Sequence, residues 1–186
     1  SHNVVAPIAN HDGGLCTPVK DYVLILYDWI HGTSAWDITL SNTQWQTWGA
    51  IMRRIHDTPI SQSLYEIASR EKFVSYWNKE QTIIDKCCER LSEIGQQLKQ
   101  QSLKFVICHA DIHQANIMID EQGKIHIVDW DEVIIAPKER DLMFFVEDGH
   151  AKHIVDAFLK GYGKTEVNQL AITYYRYDWV VQEFGD

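Results

Sequence analysis

Three polar residues stand at a spacing that phosphoryl transfer can use. The stretch His109-Ala110-Asp111-Ile112-His113-Gln114-Ala115-Asn116 is followed by two short apolar runs and then Val128-Asp129-Trp130-Asp131-Glu132. Asp111 and Asn116 share one loop, and a hairpin between them and Asp129 can fold that residue back beside both. A transferring phosphoryl group asks a protein mainly for positioning and charge neutralisation. One carboxylate, from Asp111, would orient the attacking hydroxyl and accept its proton. A second carboxylate and an amide oxygen, from Asp129 and Asn116, are the hard oxygen ligands that Mg2+ prefers. The same stretch supports a rival chemistry, because His109-x-Asp111-x-His113 has the residue types of a metal cluster that activates water for hydrolysis. His126 and His150 are available as more distant ligands for that rival, but they fit no further spacing.

The elements that must position these residues follow from periodicity. Leu103 to Cys108 has the pattern of a strand leading into the loop. Ile117-Met118-Ile119-Asp120 and Lys124-Ile125-His126-Ile127-Val128 form a hairpin about Glu121-Gln122-Gly123. Upstream, Ser41 is placed to cap a helix carrying Trp45, Trp48, Met52 and Ile55 on one face, and Pro59 stops it. A second helix includes Leu64, Ile67 and Ala68, and a longer one spans about 78–100 with Ile84, Cys87, Leu91, Ile94 and Leu98 aligned. Helical patterns resume at Glu139 and continue to the end. Residues 3–30 have the pattern of two strands around the turn formers Asn10-His11-Asp12-Gly13-Gly14. The run Tyr22-Val23-Leu24-Ile25-Leu26-Tyr27 is apolar nearly throughout, which predicts cover on both faces.

Composition narrows the function classes. The 186 residues are 45% hydrophobic, enough for one sizeable globular core and short for two full domains. The net charge of -9, without a dense Lys/Arg stripe, argues against a nucleic-acid binder. It suits a cationic small substrate, or serves solubility alone. No apolar run approaches a bilayer span, and the first residues lack the pattern of a secretion signal, so no membrane partner is expected. Cys16, Cys87, Cys88 and Cys108 form no CxxC pair, which fits free thiols in a reducing cytoplasm.

The motif HxDxxxxN, followed by an apolar hairpin and an aspartate, resembles the catalytic and metal-binding loops of the protein-kinase-like superfamily. The alanine after His109, and Asp129-Trp130-Asp131 where protein kinases carry Asp-Phe-Gly, are similar to the aminoglycoside phosphotransferase family. The continuation through Ala136-Pro137-Lys138-Glu139-Arg140-Asp141-Leu142-Met143 is most similar to its spectinomycin-phosphorylating branch. The resemblance spans roughly residues 20 to 184 and is sharp between 105 and 145. It implies an α+β fold: the mainly helical C-terminal lobe of a kinase-like enzyme, with a short N-terminal strand pair and a catalytic hairpin. Residues 1–30 would be a remnant of the N-lobe strands and hinge, and residues 31–186 the catalytic lobe.

The resemblance also implies roles. Asp111 would be the base, Asn116 and Asp129 the Mg2+ ligands, and ATP or GTP the phosphoryl donor. The backbone near Tyr27 and Trp29 would meet the purine, or these residues would close a buried strand end. Asp131 and Glu132 would face a cationic acceptor, or stand as a solvated acidic pair. His109 and Asp141 would brace the catalytic loop, although a carboxylate at a helix start has its own dipole rationale. His113 would hydrogen-bond within the loop. The implied reaction is transfer to a hydroxyl of a small molecule such as an aminocyclitol, with choline- or sugar-type acceptors and an inactive kinase-like binding module as alternatives. A nucleotide-covering loop and a strand lysine paired with a helix glutamate have no match here. The chain is therefore expected to be a fragment with weak or absent turnover alone, and with apolar surface near residues 3–30 inviting self-association.

Overall fold

The computed structural model describes residues 3–60, 81–146 and 149–183. Strands β1 (Thr17–Val19) and β2 (Tyr22–Leu24) pair antiparallel, closed by Lys20 at φ 56°. The turn formers at 10–14 do make a turn, with the Asn10 side-chain oxygen accepting from the N–H groups of Asp12 and Gly14. That turn lies outside the β1–β2 hairpin, which reverses at Lys20-Asp21 instead. It separates β1 from a second meeting of the two segments, where the Ile8 N–H donates to the Leu26 carbonyl and Pro7 bridges Tyr27. Among the described residues nothing supplies the expected cover over Tyr22–Tyr27. Tyr22 is 78% exposed and Leu26 62%, because β2 pairs only with β1 and no other described element lies on either face.

Strand β3 (Gly32–Ser34) leads into α1 (Asn42–His56). Ser41 and Gln44 cap α1 reciprocally: the Ser41 hydroxyl accepts from the Gln44 N–H, and the Gln44 side chain accepts from the Ser41 N–H. The face of α1 bearing Trp45, Trp48, Met52 and Ile55 is buried, at roughly 1.5–3 kcal/mol of stabilisation per large side chain. The helix expected around Leu64, Ile67 and Ala68 lies outside the described residues. The next helix, α2 (Gln81–Leu98), packs Ile94 and Leu98 against α5.

Next come β4 (Phe105–Cys108), β5 (Ile117–Asp120), β6 (Ile125–Ile127) and β7 (Ile134–Pro137), then α3 (Glu139–Val146), α4 (Lys152–Tyr162) and α5 (Gln169–Glu183). The sheet order is β3–β5–β6, all antiparallel, with Ile117, Ile119, Ile125 and Ile127 turned into the core by the two-residue period. The N-terminal segment borders the same sheet. The Ile127 N–H donates to the Asn3 carbonyl at 2.8 Å, the Asn3 amide donates to the Ile125 carbonyl at 2.8 Å, and Val4 bridges Ile127. β4 pairs with β7 in a separate two-stranded ladder, so the segments before and after the catalytic stretch are tied together.

Helices α1 and α4 cross in close contact. A Cβ on Gly49 would collide with the Phe158 carbonyl and the Tyr162 backbone nitrogen, and one on Gly161 with the Gln46 carbonyl. Gly49→Ala is therefore expected to lower stability by about 1–3 kcal/mol, the usual range for overpacking, although alanine is the better helix former. Urea unfolding would show this as a lowered midpoint. An unchanged midpoint would mean that the helices do not cross at this distance.

Candidate active site

The loop after β4 is held from three directions. Asp141, fully buried in the first turn of α3, accepts from the His109 N–H on Oδ2 at 3.0 Å and from the Ala110 N–H on Oδ1 at 2.8 Å. These bonds hold Ala110 at φ 73°, a left-handed conformation that a residue with a side chain adopts at a cost. The His109 ring is buried, and its Nδ1 accepts from the Asp111 N–H at 3.3 Å. Its Nε2 therefore carries the proton, which it donates to the Val128 carbonyl at 2.8 Å. The Trp130 ring lies 4.7 Å from that imidazole, and its Nε1–H donates to the Ile127 carbonyl.

These contacts decide where the three polar residues sit. Asn116 is buried at the end of a short 3-10 turn, and its Nδ2 donates to both the Asp111 carbonyl (2.8 Å) and Asp111 Oδ2 (2.9 Å). The amide nitrogen is thereby fully engaged, which leaves Oδ1 as the atom Asn116 can offer a cation. The Val128 N–H donates to the Asn116 carbonyl at 3.0 Å, so Asp129 follows directly on a backbone bond to Asn116. Asp129 is exposed at φ 59°, and no described residue bonds its carboxylate. Two non-glycine residues with positive φ thus fall within this small region, as strain at functional sites does. Asp131 and Glu132 are exposed just beyond.

The other expected site residues lie apart. Trp29 is 82% exposed and lines an open cleft of about 470 Å3 with Asp28 and with Asp120, Glu121 and Gln122 of the hairpin turn. That is the end of the hairpin opposite Asn116 and Asp129. Tyr27 is 44% exposed and pairs with Pro7. The alternative of a buried strand end does not describe either residue.

The hydrolase reading loses His109 here. Both ring nitrogens of His109 are committed to the backbone, and His113 Nδ1 accepts from the Ala115 N–H at 3.2 Å. One grouping of possible metal ligands, His56, Cys108 and Asp141, is completely buried. It too is spent internally. Both Asp141 oxygens hold backbone N–H groups, and burial pushes the Cys108 thiol up, so it stays protonated against the Ala136 and Pro137 carbonyls.

Sequence reasoning missed the support beneath the loop. His56 Nε2 lies 3.0 Å from Asp141 Oδ2, and its Nδ1 lies 2.7 Å from the Tyr162 hydroxyl. Burial pushes the Tyr162 phenol up, so it remains a donor. A chain of bonds therefore runs from Tyr162 through His56 and Asp141 to the backbone of His109 and Ala110. The available signal was a histidine on the apolar stripe of α1, where position 56 continues the series 45, 48, 49 and 52.

The family described as "Phosphotransferase enzyme family" matches residues 2–178. No curated protein matches the chain. Among solved structures, a spectinomycin phosphotransferase in complex with ADP and spectinomycin superposes with a TM-score of 0.81 at 26% identity, over 98% of this chain and 65% of that one. The choline kinase LicA from Streptococcus pneumoniae gives 0.62 at 17% identity, over 98% and 66%. The macrolide 2'-phosphotransferase MphH from Brachybacterium faecium gives 0.57 at 14% identity, over 98% and 67%. The chain thus spans about two thirds of the length of each.

Proposed function

Since the chain belongs to the phosphotransferase enzyme family, we propose that it carries the reaction centre for phosphoryl transfer from a nucleoside triphosphate to a hydroxyl of a small molecule. The observation that carries this is the arrangement around Asn116. Its amide nitrogen bonds Asp111, its own oxygen is left for a cation, and the backbone bond from Val128 to Asn116 brings the chain at Asp129, whose carboxylate no described residue bonds, next to this loop. Two hard oxygens of this kind suit Mg2+, which when bound would neutralise charge on the phosphates. Asp111 accepts the proton of the attacking hydroxyl, with Asn116 holding its Oδ2. His109 and Asp141 keep the loop in its strained backbone form.

For the acceptor, we favour an amino-substituted alcohol of the spectinomycin type. The support is the 26% identity and 0.81 superposition on the spectinomycin phosphotransferase, which holds ADP and its antibiotic. The exposed acidic Asp131 and Glu132 next to Asp129 also fit a cationic acceptor. The test is a transfer assay with labelled ATP and GTP on the natural full-length chain. The acceptors are spectinomycin and other aminocyclitols, choline and ethanolamine, and a macrolide. Mg2+-dependent labelling is expected with an aminocyclitol. Labelling of choline alone would move the acceptor class, and no labelling of any alcohol would overturn the reading.

A further inference from the structure

His113 sits beside Asp111, with a ring that the loop itself orients. The Ala115 N–H donates to its Nδ1 at 3.2 Å, so the neutral ring carries its proton on Nε2. That Nε2 lies 3.2 Å from Asp111 Oδ2, the same oxygen that accepts from Asn116 Nδ2 at 2.9 Å. Asp111 Oδ1 receives no described bond. The side chains of His113 and Asp111 are 38% and 33% exposed, so both border the open side of the site.

We infer that His113 is a positioning residue for the proposed reaction, its Nε2 in electrostatic contact with Asp111 Oδ2, off the line of a hydrogen bond, while the Asn116 amide is hydrogen-bonded to the same oxygen, so that Oδ1 is the oxygen presented to the acceptor hydroxyl. This rests on Asp111 being the proton acceptor. A carboxylate on two rotatable bonds otherwise samples several orientations, and the proton transfer needs one. Asn116 alone leaves rotation about its bond to Oδ2, and the imidazole contact on the same oxygen narrows it. The ring is itself a reporter, because its tautomer is set by Ala115 and does not require Asp111.

The test compares the 186-residue chain with its His113→Ala and His113→Gln variants, glutamine placing a donor near the position of Nε2. Side-chain couplings of Asp111, measured by NMR, are expected to show one rotamer in the parent, averaging in His113→Ala and recovery in His113→Gln. In the transfer assay on the natural full-length chain with the same substitutions, kcat is expected to fall up to roughly a hundredfold in His113→Ala with nucleotide KM unchanged, and to recover in part with glutamine. Melting temperatures of both variants should match the parent, since the residue is well exposed. An Asp111 rotamer that ignores His113→Ala overturns the inference, whatever the activity. Full transfer by Asp111→Asn would instead overturn the reading of the base, while the NMR result would still decide whether His113 orients that carboxylate.

Discussion

Asp111→Asn is expected to lower kcat by about a hundredfold to ten-thousandfold, the usual worth of a positioned general base, with the affinity for the Mg2+–nucleotide complex nearly unchanged. The substitution keeps the size of the side chain and removes its ability to take a proton. It leaves the Asn116 Nδ2 bond to the Asp111 backbone carbonyl in place, so the loop should hold its form. Asn116 Oδ1 and the Asp129 carboxylate are untouched, which is why nucleotide binding should persist. Steady-state transfer together with calorimetric titration of the nucleotide would measure both quantities. Equal losses in kcat and in nucleotide affinity would assign Asp111 to binding and remove it as the base.

The largest effect on stability is expected at Asp141. Its carboxylate satisfies the N–H groups of His109 and Ala110 and the Nε2 of His56, and its side chain is fully buried. Asp141→Ala leaves these donors without a partner where water does not reach. Each orphaned buried donor costs about 1–3 kcal/mol, and the loss falls on three donors at once. Against a total of about 5–15 kcal/mol for an ordinary domain, that is enough to unfold a large fraction of the molecules. Asp141→Asn keeps one acceptor oxygen and should fall between. Urea unfolding followed by tryptophan fluorescence would rank the three proteins. A parent-like midpoint for the alanine variant would show that the loop stands without this carboxylate.

The local structure of this chain was legible where residue type and spacing are both demanding. The HxDxxxxN loop, the alternation of Ile117 and Ile119 against Met118 and Asp120, and the Ser41 cap are local signals, and local structure follows them. What could not be read were the pairings made by tertiary contact. The partnership of β4 with β7 joins segments far apart in sequence, and β3 is a short Gly-Thr-Ser segment with no strand signature of its own. The apolar run at 22–27 predicted cover because hydrophobicity records a preference for burial, not the presence of an element to provide it. His56 and Tyr162 escaped notice for a related reason. Each looks like an ordinary residue of its own helix, and only the crossing of those helices makes them a pair.

The glycine crossing of α1 and α4 has a reach beyond packing. His56 ends the first helix and Tyr162 ends the second, so the gap set by Gly49 and Gly161 also sets the depth at which the phenol meets the imidazole. A genetic hunt for inactive alleles should accordingly recover lesions at these two glycines, remote from every reacting atom. Such alleles would retain normal helical content and fail because the platform under residues 109 and 110 has drifted.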